Sequence, residues 1–334
     1  MGSHAGFALV LCALASGLPS AASAQAGIRE FPVAATAGTD DRYPARLQSW
    51  PGGVTSMADV TYSTIPGYRP MIMDIYLPAR GAGPHPLILY VHGGGWVAGN
   101  TRHSGALANF PAALASLAAE GFVVASVEYR LASEAQFPAQ AQDVRAALRF
   151  LKSNAAQYGV DPARSGIWGG SAGGHLSALT ALSCGDASLD VAGTQADAGS
   201  ECVQAAVIWY GVFDFALQAS TRSDGDPGIA SLLGCSGPCR AEDYAPASPV
   251  SYIGAGDPPM LLIHGEQDQV VSVSQSRSAE ERLRAAGLRV ESIYIPAVDH
   301  SFLGSTYDVT RAATLQAVNA TYDFFHAVLD APAP

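Results

Sequence analysis

Short strand-like runs alternate with helical stretches through most of this chain, and that alternation leaves little choice of architecture. Strands are expected at 86–92 (PLILYVH), 122–129 (FVVASVEY), 165–168, 203–210 (VQAAVIWY), 260–264 (MLLIH) and 289–295 (RVESIYI). Continuous apolar runs such as the first suit strands covered on both faces. Helices are expected at 105–120, 139–157, 172–183, 274–286 and 308–329. Val144, Leu148 and Leu151 share one helical face, as do Leu315, Val318, Tyr322 and Phe325. Gly121 and Gly287 stand where two of these helices would stop. An earlier pair, 58–63 and 71–77 (MIMDIYL), suits a β-hairpin. The expectation is an α/β domain over 56–330: a mostly parallel, eight-stranded sheet, helices on both faces, no large cap domain. Functional sites in such sheets form beyond the carboxyl ends of the strands.

Ahead of that domain lie two other segments. Residues 7–15 (FALVLCALA) form an apolar run the length of a signal-peptide core, too short to span a bilayer. Ala22-Ser23-Ala24 supplies small residues for cleavage, so 1–24 is expected to be a removable leader. The first four residues depart from the pattern, since they carry no Lys or Arg. Residues 25–55 are rich in Ala, Gly, Thr and Pro and suit an extended lead-in. The expected location is secreted or periplasmic. Without Cys12 of the leader four cysteines remain, Cys184, Cys202, Cys235 and Cys239, and an even count in an exported chain points to disulfides. Three pairings are possible, and proximity favours Cys184–Cys202 with Cys235–Cys239. No CxxC pair and no His at ligand spacing suggests zinc. Acids outnumber bases 29 to 18, a net charge of −11, which repels phosphate backbones and argues against nucleic acid as a partner. No Lys/Arg cluster favours a membrane surface; Lys152 is the sole lysine.

Gly169-Gly170-Ser171-Ala172-Gly173 fits G-x-S-x-G. In a chain with 35 glycines the pentapeptide alone is weak. Its place between a strand and a helix makes it strong, because a sharp turn there pushes the serine hydroxyl into the open. An unassisted hydroxyl is a poor nucleophile and needs a base nearby. Of eight histidines, His300 lies in the loop after strand 289–295, at the correct sheet edge. His175 falls one helical turn past Ser171 and is expected to point away. The base in turn needs an acid to hold its tautomer. Asp268, four residues past strand 260–264, is the first choice, ahead of Glu266 and Asp299. The order Ser171, Asp268, His300 is the one expected when such a triad sits on an α/β sheet.

His92-Gly93-Gly94-Gly95-Trp96 follows strand 86–92. Three glycines let main chain approach a substrate and turn its N–H groups inward. The amides of Gly94, Gly95 and Ala172 are expected to form an oxyanion hole, one donor of which is worth about 3 kcal/mol of barrier. His92 suits a brace for that loop, and Trp96 suits a wall of the substrate pocket or a packing residue.

These motifs occur in a familiar order: HGGGW at 92–96, VEYRL at 127–131, FPAQAQDV at 137–144, GVDPARSGIWGGSAGGHL at 159–176, ASPVSYI at 247–253, DPPMLLIHGEQD at 257–268 and DHSF at 299–302. The chain resembles α/β-hydrolase esterases over roughly 56–330. Its nearest likeness is to the bifunctional feruloyl and acetyl-xylan esterase-like group, related to hormone-sensitive-lipase-type carboxylesterases. The resemblance implies hydrolysis of small-molecule or polysaccharide-linked carboxylic esters by Ser171, Asp268 and His300, without a cofactor. The lead-in is short for the helical N-terminal cap of the lipase-type relatives, which implies an open site. A peptidase, a polyester depolymerase and an arylformamidase would use the same triad. A binding module that has lost catalysis would be marked by loss of the Ser or His, and both are present.

Overall fold

The computed structural model describes Gly2 and residues 46–79, 83–191, 200–221, 226–237 and 239–330. The chain divides into two compact units, Met1–Pro44 and Ala45–Pro334. The first, with the expected leader and most of the lead-in, lies outside the described residues apart from Gly2.

The second unit is built on one sheet. In chain order its strands are β1 (Arg46–Ser49), β2 (Thr55–Ser63), β3 (Met71–Leu77), β4 (His85–Val91), β5 (Val123–Val127), β6 (Val160–Gly170), β7 (Ala205–Trp209), β8 (Met260–Gly265) and β9 (Val290–Ile295). Their spatial order is β1-β2-β3-β5-β4-β6-β7-β8-β9. The first three strands pair antiparallel, β3 joins β5 antiparallel, and every pair from β5 to β9 is parallel. The sheet therefore has nine strands, one more than the eight expected. The extra strand, β1, lies inside the lead-in. All four of its residues are exposed, so it is held by main-chain pairing to β2 and leaves no apolar pattern to read.

Helices α1 (Phe110–Ala119), α2 (Ala139–Ser153), α3 (Ala155–Tyr158) and α4 (Ala172–Leu182) alternate with the central strands. Short helices α5 (Phe215–Ser220), α6 (Pro227–Leu233) and α7 (Ala241–Tyr244) follow β7, and α8 (Ser274–Ala285) and α9 (Tyr307–Leu329) complete the unit. Helix α1 starts at 110, not at 105, because the Asn109 side chain caps it by accepting from the Ala112 amide. Successive side chains of a strand face opposite sides. Leu87, Leu89 and Val91 of β4 accordingly join the core on one face, with Leu148 of α2, Leu176 of α4 and, farther along the sheet, Leu283 of α8. Ile88 and Tyr90 face the other way, onto Phe110 and Leu114 of α1 and Phe325 of α9. Leu315, expected in the buried stripe of α9, is 40% exposed, while Val318, Tyr322 and Phe325 are buried.

Both favoured disulfides are present, Cys184–Cys202 and Cys235–Cys239. The first closes a loop that a buried cation also holds. Arg145 of α2 is wholly buried and donates to Asp190 Oδ1 at 2.9 Å, Glu201 Oε1 at 2.8 Å and the carbonyls of Ser183 at 2.9 Å and Asp186 at 3.0 Å.

The segment between β7 and β8 rests on α4 through His175. Its Nε2–H donates to the Ala247 carbonyl at 2.7 Å, so Nδ1 accepts from the Trp96 indole at 3.1 Å. His92 donates from Nδ1 to the Gly93 carbonyl at 2.7 Å and stacks on Tyr129 at 4.3 Å. Burial lowers both imidazoles to about 4. Among the described residues no helix is long and apolar enough to cross a membrane.

Arg145→Met leaves the buried Glu201 and the partly exposed Asp190 with Arg149 as their remaining cation, and should lower the urea unfolding free energy by about 3 kcal/mol. For His92 and His175 the folded value lies below the unfolded one, so the unfolded chain binds the extra proton. Stability should then fall as pH drops from about 6.5 to about 4, by up to about 3 kcal/mol for each ring. Urea titrations across that range should show the fall, and His175→Gln should make it shallower.

Candidate active site

Ser171 stands between the last residue of β6 and the first of α4. Its φ of 57° and ψ of −123° place a non-glycine residue in a sparsely populated region, at a cost of order 1–3 kcal/mol. The turn is tight because helix and sheet nearly touch. A Cβ added at Gly173 would lie 2.0 Å from the Val91 carbonyl oxygen. The serine is thereby lifted clear of the sheet edge.

His300 comes from the loop after β9. Its Nε2 lies 3.0 Å from Ser171 Oγ, and its Nδ1 lies 2.8 Å from Asp268 Oδ2. A carboxylate can only accept, so Nδ1 carries the proton and Nε2 is left to receive one from the serine. The ring edge packs on Tyr210, which follows β7, with centroids 4.7 Å apart. Asp268 follows β8 and its side chain is fully buried. Oδ1 accepts from the amides of Val270 at 2.9 Å and Val271 at 2.8 Å. Burial acts to raise this carboxyl, but hydrogen bonds from His264 and His300 outweigh it and hold it well below the usual carboxylate range. The group is a fixed negative charge beneath an imidazole. Such a series can shift a serine proton onto His300 and steady the cation that results.

Gly94 and Gly95 have φ of 115° and 59°. A Cβ at Gly94 would lie 2.1 Å from the Ala98 carbonyl oxygen, so this turn admits only glycine. Among the described residues neither amide meets a protein acceptor. The Ala172 amide opens α4 and precedes its hydrogen-bond ladder. Two hollows flank the serine. An open cleft of about 500 Å³ is lined by Gly94, Gly95, Ser171, Tyr210, His300 and Leu303 among others. A narrower pocket of about 250 Å³ is lined by Trp96, Val97, Ser171, Ala172, Gln218 and Val270 among others. Trp96 is 4% exposed and its indole N–H is engaged by His175, so it serves as an apolar wall.

Three groups in the site carry more than their sequence suggested. His264 is buried at the end of β8. Its Nε2–H donates to the Val271 carbonyl at 2.9 Å and faces Asp268 Oδ2 at 3.3 Å, while Nδ1 accepts from Ser276 Oγ at 2.7 Å. Its spacing of four from Asp268 was the available signal. Asp299 Oδ1 accepts from the amides of His300 at 2.6 Å and Gln269 at 2.8 Å, tying the histidine loop to the aspartate loop. Tyr210 supplies the face against which His300 rests. Glu266, the second choice for the acid, is exposed and pairs with Arg277 at 2.7 Å. Among the described residues no group of three His, Cys, Asp or Glu side chains could hold a metal ion.

Comparison with known proteins agrees with this architecture. Residues 73–283 match the family BD-FAE. Among curated proteins, "Esterase LipQ" of Mycobacterium tuberculosis is 32% identical over 255 residues, 73% of this chain and 57% of its own length. "Probable carboxylic ester hydrolase LipM" of the same organism is 34% identical over 252 residues, covering 73% and 56%. The chain thus spans a little over half the length of these curated relatives. Among solved structures, a "Truncated form of carbohydrate esterase from gut microbiota" superposes with a TM-score of 0.69 at 30% identity, covering 84% of this chain and 98% of that one. Esterase Est2 of Thermogutta terrifontis, with propionate bound, gives 0.65 at 25% identity, covering 88% and 98%. The fold is the α/β-hydrolase fold, and the chain belongs to the BD-FAE family, the group its motifs resemble.

Proposed function

We propose that this chain is a serine carboxylesterase, with Ser171 as nucleophile, His300 as general base and acid, and Asp268 as the acid that orients it. The observation that carries the reading is the unbroken series of contacts from Ser171 through His300 to Asp268, at 3.0 and 2.8 Å. Ser171 Oγ attacks the ester carbonyl carbon while its proton passes to His300 Nε2. The negative charge on the former carbonyl oxygen is received by the amides of Gly94, Gly95 and Ala172. The carbon–oxygen bond to the alcohol then breaks, and the alcohol oxygen takes the proton from Nε2. Water, deprotonated by the same nitrogen, attacks the acyl-enzyme and releases the acid. No cofactor enters either half.

The position of His300 also distinguishes the two hollows. The imidazole must reach the leaving oxygen, and it lines the open cleft but not the narrower pocket. The alcohol therefore belongs in the cleft and the acyl group in the pocket. The pocket volume of 250 Å³ equals about eight waters, roughly the bulk of a six-carbon acyl chain. An open alcohol side suits a short acyl group carried on a bulky alcohol, and the likeness to a carbohydrate esterase supports a polysaccharide-linked ester. A second reading, cleavage of an apolar polyester, draws on Val97, Val270 and Leu303, which are 47%, 48% and 51% exposed around the two hollows. The two disulfides suit an oxidising compartment and support export.

A fluorophosphonate probe should label the wild type and leave Ser171→Ala unlabelled; equal labelling would remove Ser171 from its role. Asp268→Asn should lower kcat by about 10⁴ with an unchanged circular-dichroism spectrum, since the amide favours the wrong tautomer of His300. Across p-nitrophenyl esters, kcat/KM should drop beyond roughly six acyl carbons, the length the pocket holds. Methyl ferulate, acetylated xylan and a soluble polyester in the same panel separate the alcohol-side readings.

A further inference from the structure

The narrower pocket beside Ser171 has one polar wall. Its apolar side chains are Trp96, Val97, Val212, Val270 and Val271. The polar wall is Gln218, on α5, and Asp226, which caps α6. Gln218 is 1% exposed. Its Nε2 donates to the Val270 carbonyl at 2.9 Å and to Asp226 Oδ2 at 3.3 Å. Its Oε1 is buried and, among the described residues, meets no donor. Flipping the amide would set Oε1 against the Val270 carbonyl oxygen, so the hydrogen bonds fix its orientation. Asp226 Oδ1 accepts from the amides of Gly228 at 2.9 Å and Ile229 at 3.3 Å, while among the described residues Oδ2 has only the long contact from Gln218. Among the described residues this wall offers acceptors and no free side-chain donor. At the other end of the pocket, the proposed main-chain donors are taken by the ester carbonyl.

We infer that the pocket selects short acyl groups bearing a hydroxyl, with Gln218 Oε1 as the acceptor and Asp226 beside it. The inference rests on the esterase reading above and on the assignment of this pocket to the acyl group. A plain alkyl chain of the same length leaves the buried Gln218 oxygen without a donor, which a site of this kind penalises. An acyl group ending in a carboxylate meets the Asp226 charge. A hydroxyl supplies one donor and needs no counter-charge. An ammonium would have to be desolvated beside a carboxylate that already accepts three N–H groups.

The test compares methyl esters in which a hydroxyl replaces a methyl of equal size: 2-hydroxypropanoate against 2-methylpropanoate, 3-hydroxybutanoate against 3-methylbutanoate, and 5-hydroxyhexanoate against 5-methylhexanoate. Each kcat/KM is divided by the alkaline hydrolysis rate of the same ester, which removes the inductive effect of the hydroxyl. The 3-aminobutanoate ester serves as the ammonium arm, and p-nitrophenyl acetate reports on the serine. The wild type should favour the hydroxyl by about tenfold or more in at least one pair, and Gln218→Met should bring that ratio to about one or below. If the variant does not fold, the wild-type ratios decide. Acetate turnover with no pair exceeding about threefold overturns this inference and leaves the esterase reading standing. Preference for the ammonium over the hydroxyl overturns the choice of donor. A folded Gln218→Met that keeps the wild-type ratio overturns the role of Gln218. No acetate turnover overturns the esterase reading and this inference with it.

Discussion

Both oxygens of the Asp268 carboxylate are held by N–H groups, and the geometry of the site depends on that buried charge. Two amides of its own loop bind Oδ1, and His300 binds Oδ2 with His264 close by. A bare carboxylate in this position would be too costly to remain ionised. Surrounded in this way it stays charged, and the charge fixes which nitrogen of His300 bears hydrogen. His264 in turn is oriented by Ser276 and by the Val271 carbonyl, so the acid is supported from below as well as from its own loop.

The sheet explains why three distant residues meet. Ser171, Asp268 and His300 follow β6, β8 and β9, and β7 lies between the first two. At about 4.8 Å per strand, His300 must reach back across roughly 14 Å of sheet edge. The loop that does so bends at Ala297, Ser301 and Phe302, all with positive φ. Tyr210, at the end of the intervening strand, fills the gap and supports the ring. Asp299 fastens the same loop to its neighbour. The reach is therefore built from covalent turns, one aromatic contact and one carboxylate.

Much of this was legible in the sequence. The central parallel strands are covered on both faces and had to be apolar, so they announced themselves. Strand β1 did not, because its residues are exposed and only its main chain is engaged. The start of α1 is set by the Asn109 cap, a local signal that an Ala/Leu-rich run conceals. Ser171, Asp268 and His300 could be named because each follows a strand end within a short motif. Tertiary partners were harder to read. The contact of His264 with Asp268, the bridge made by Asp299 and the place of Gln218 in the pocket wall depend on which loops meet in space. Glutamine and histidine at such positions look the same whether they face water or each other.

The bond from His175 to Ala247 bears on how the molecule would work. This buried bond and the Trp96 contact tie the chain around Ala247, between β7 and β8, and the wall of the pocket to the helix that follows the serine. At Ala247 the insertion is thus tied to the floor of the site. On the proposed reading the serine is served from the cleft side, where His300 and Leu303 line the opening. The enzyme works at the rim of an open trough, where a pendant acyl group can dip in while the chain that bears it stays outside, needing no free end to thread.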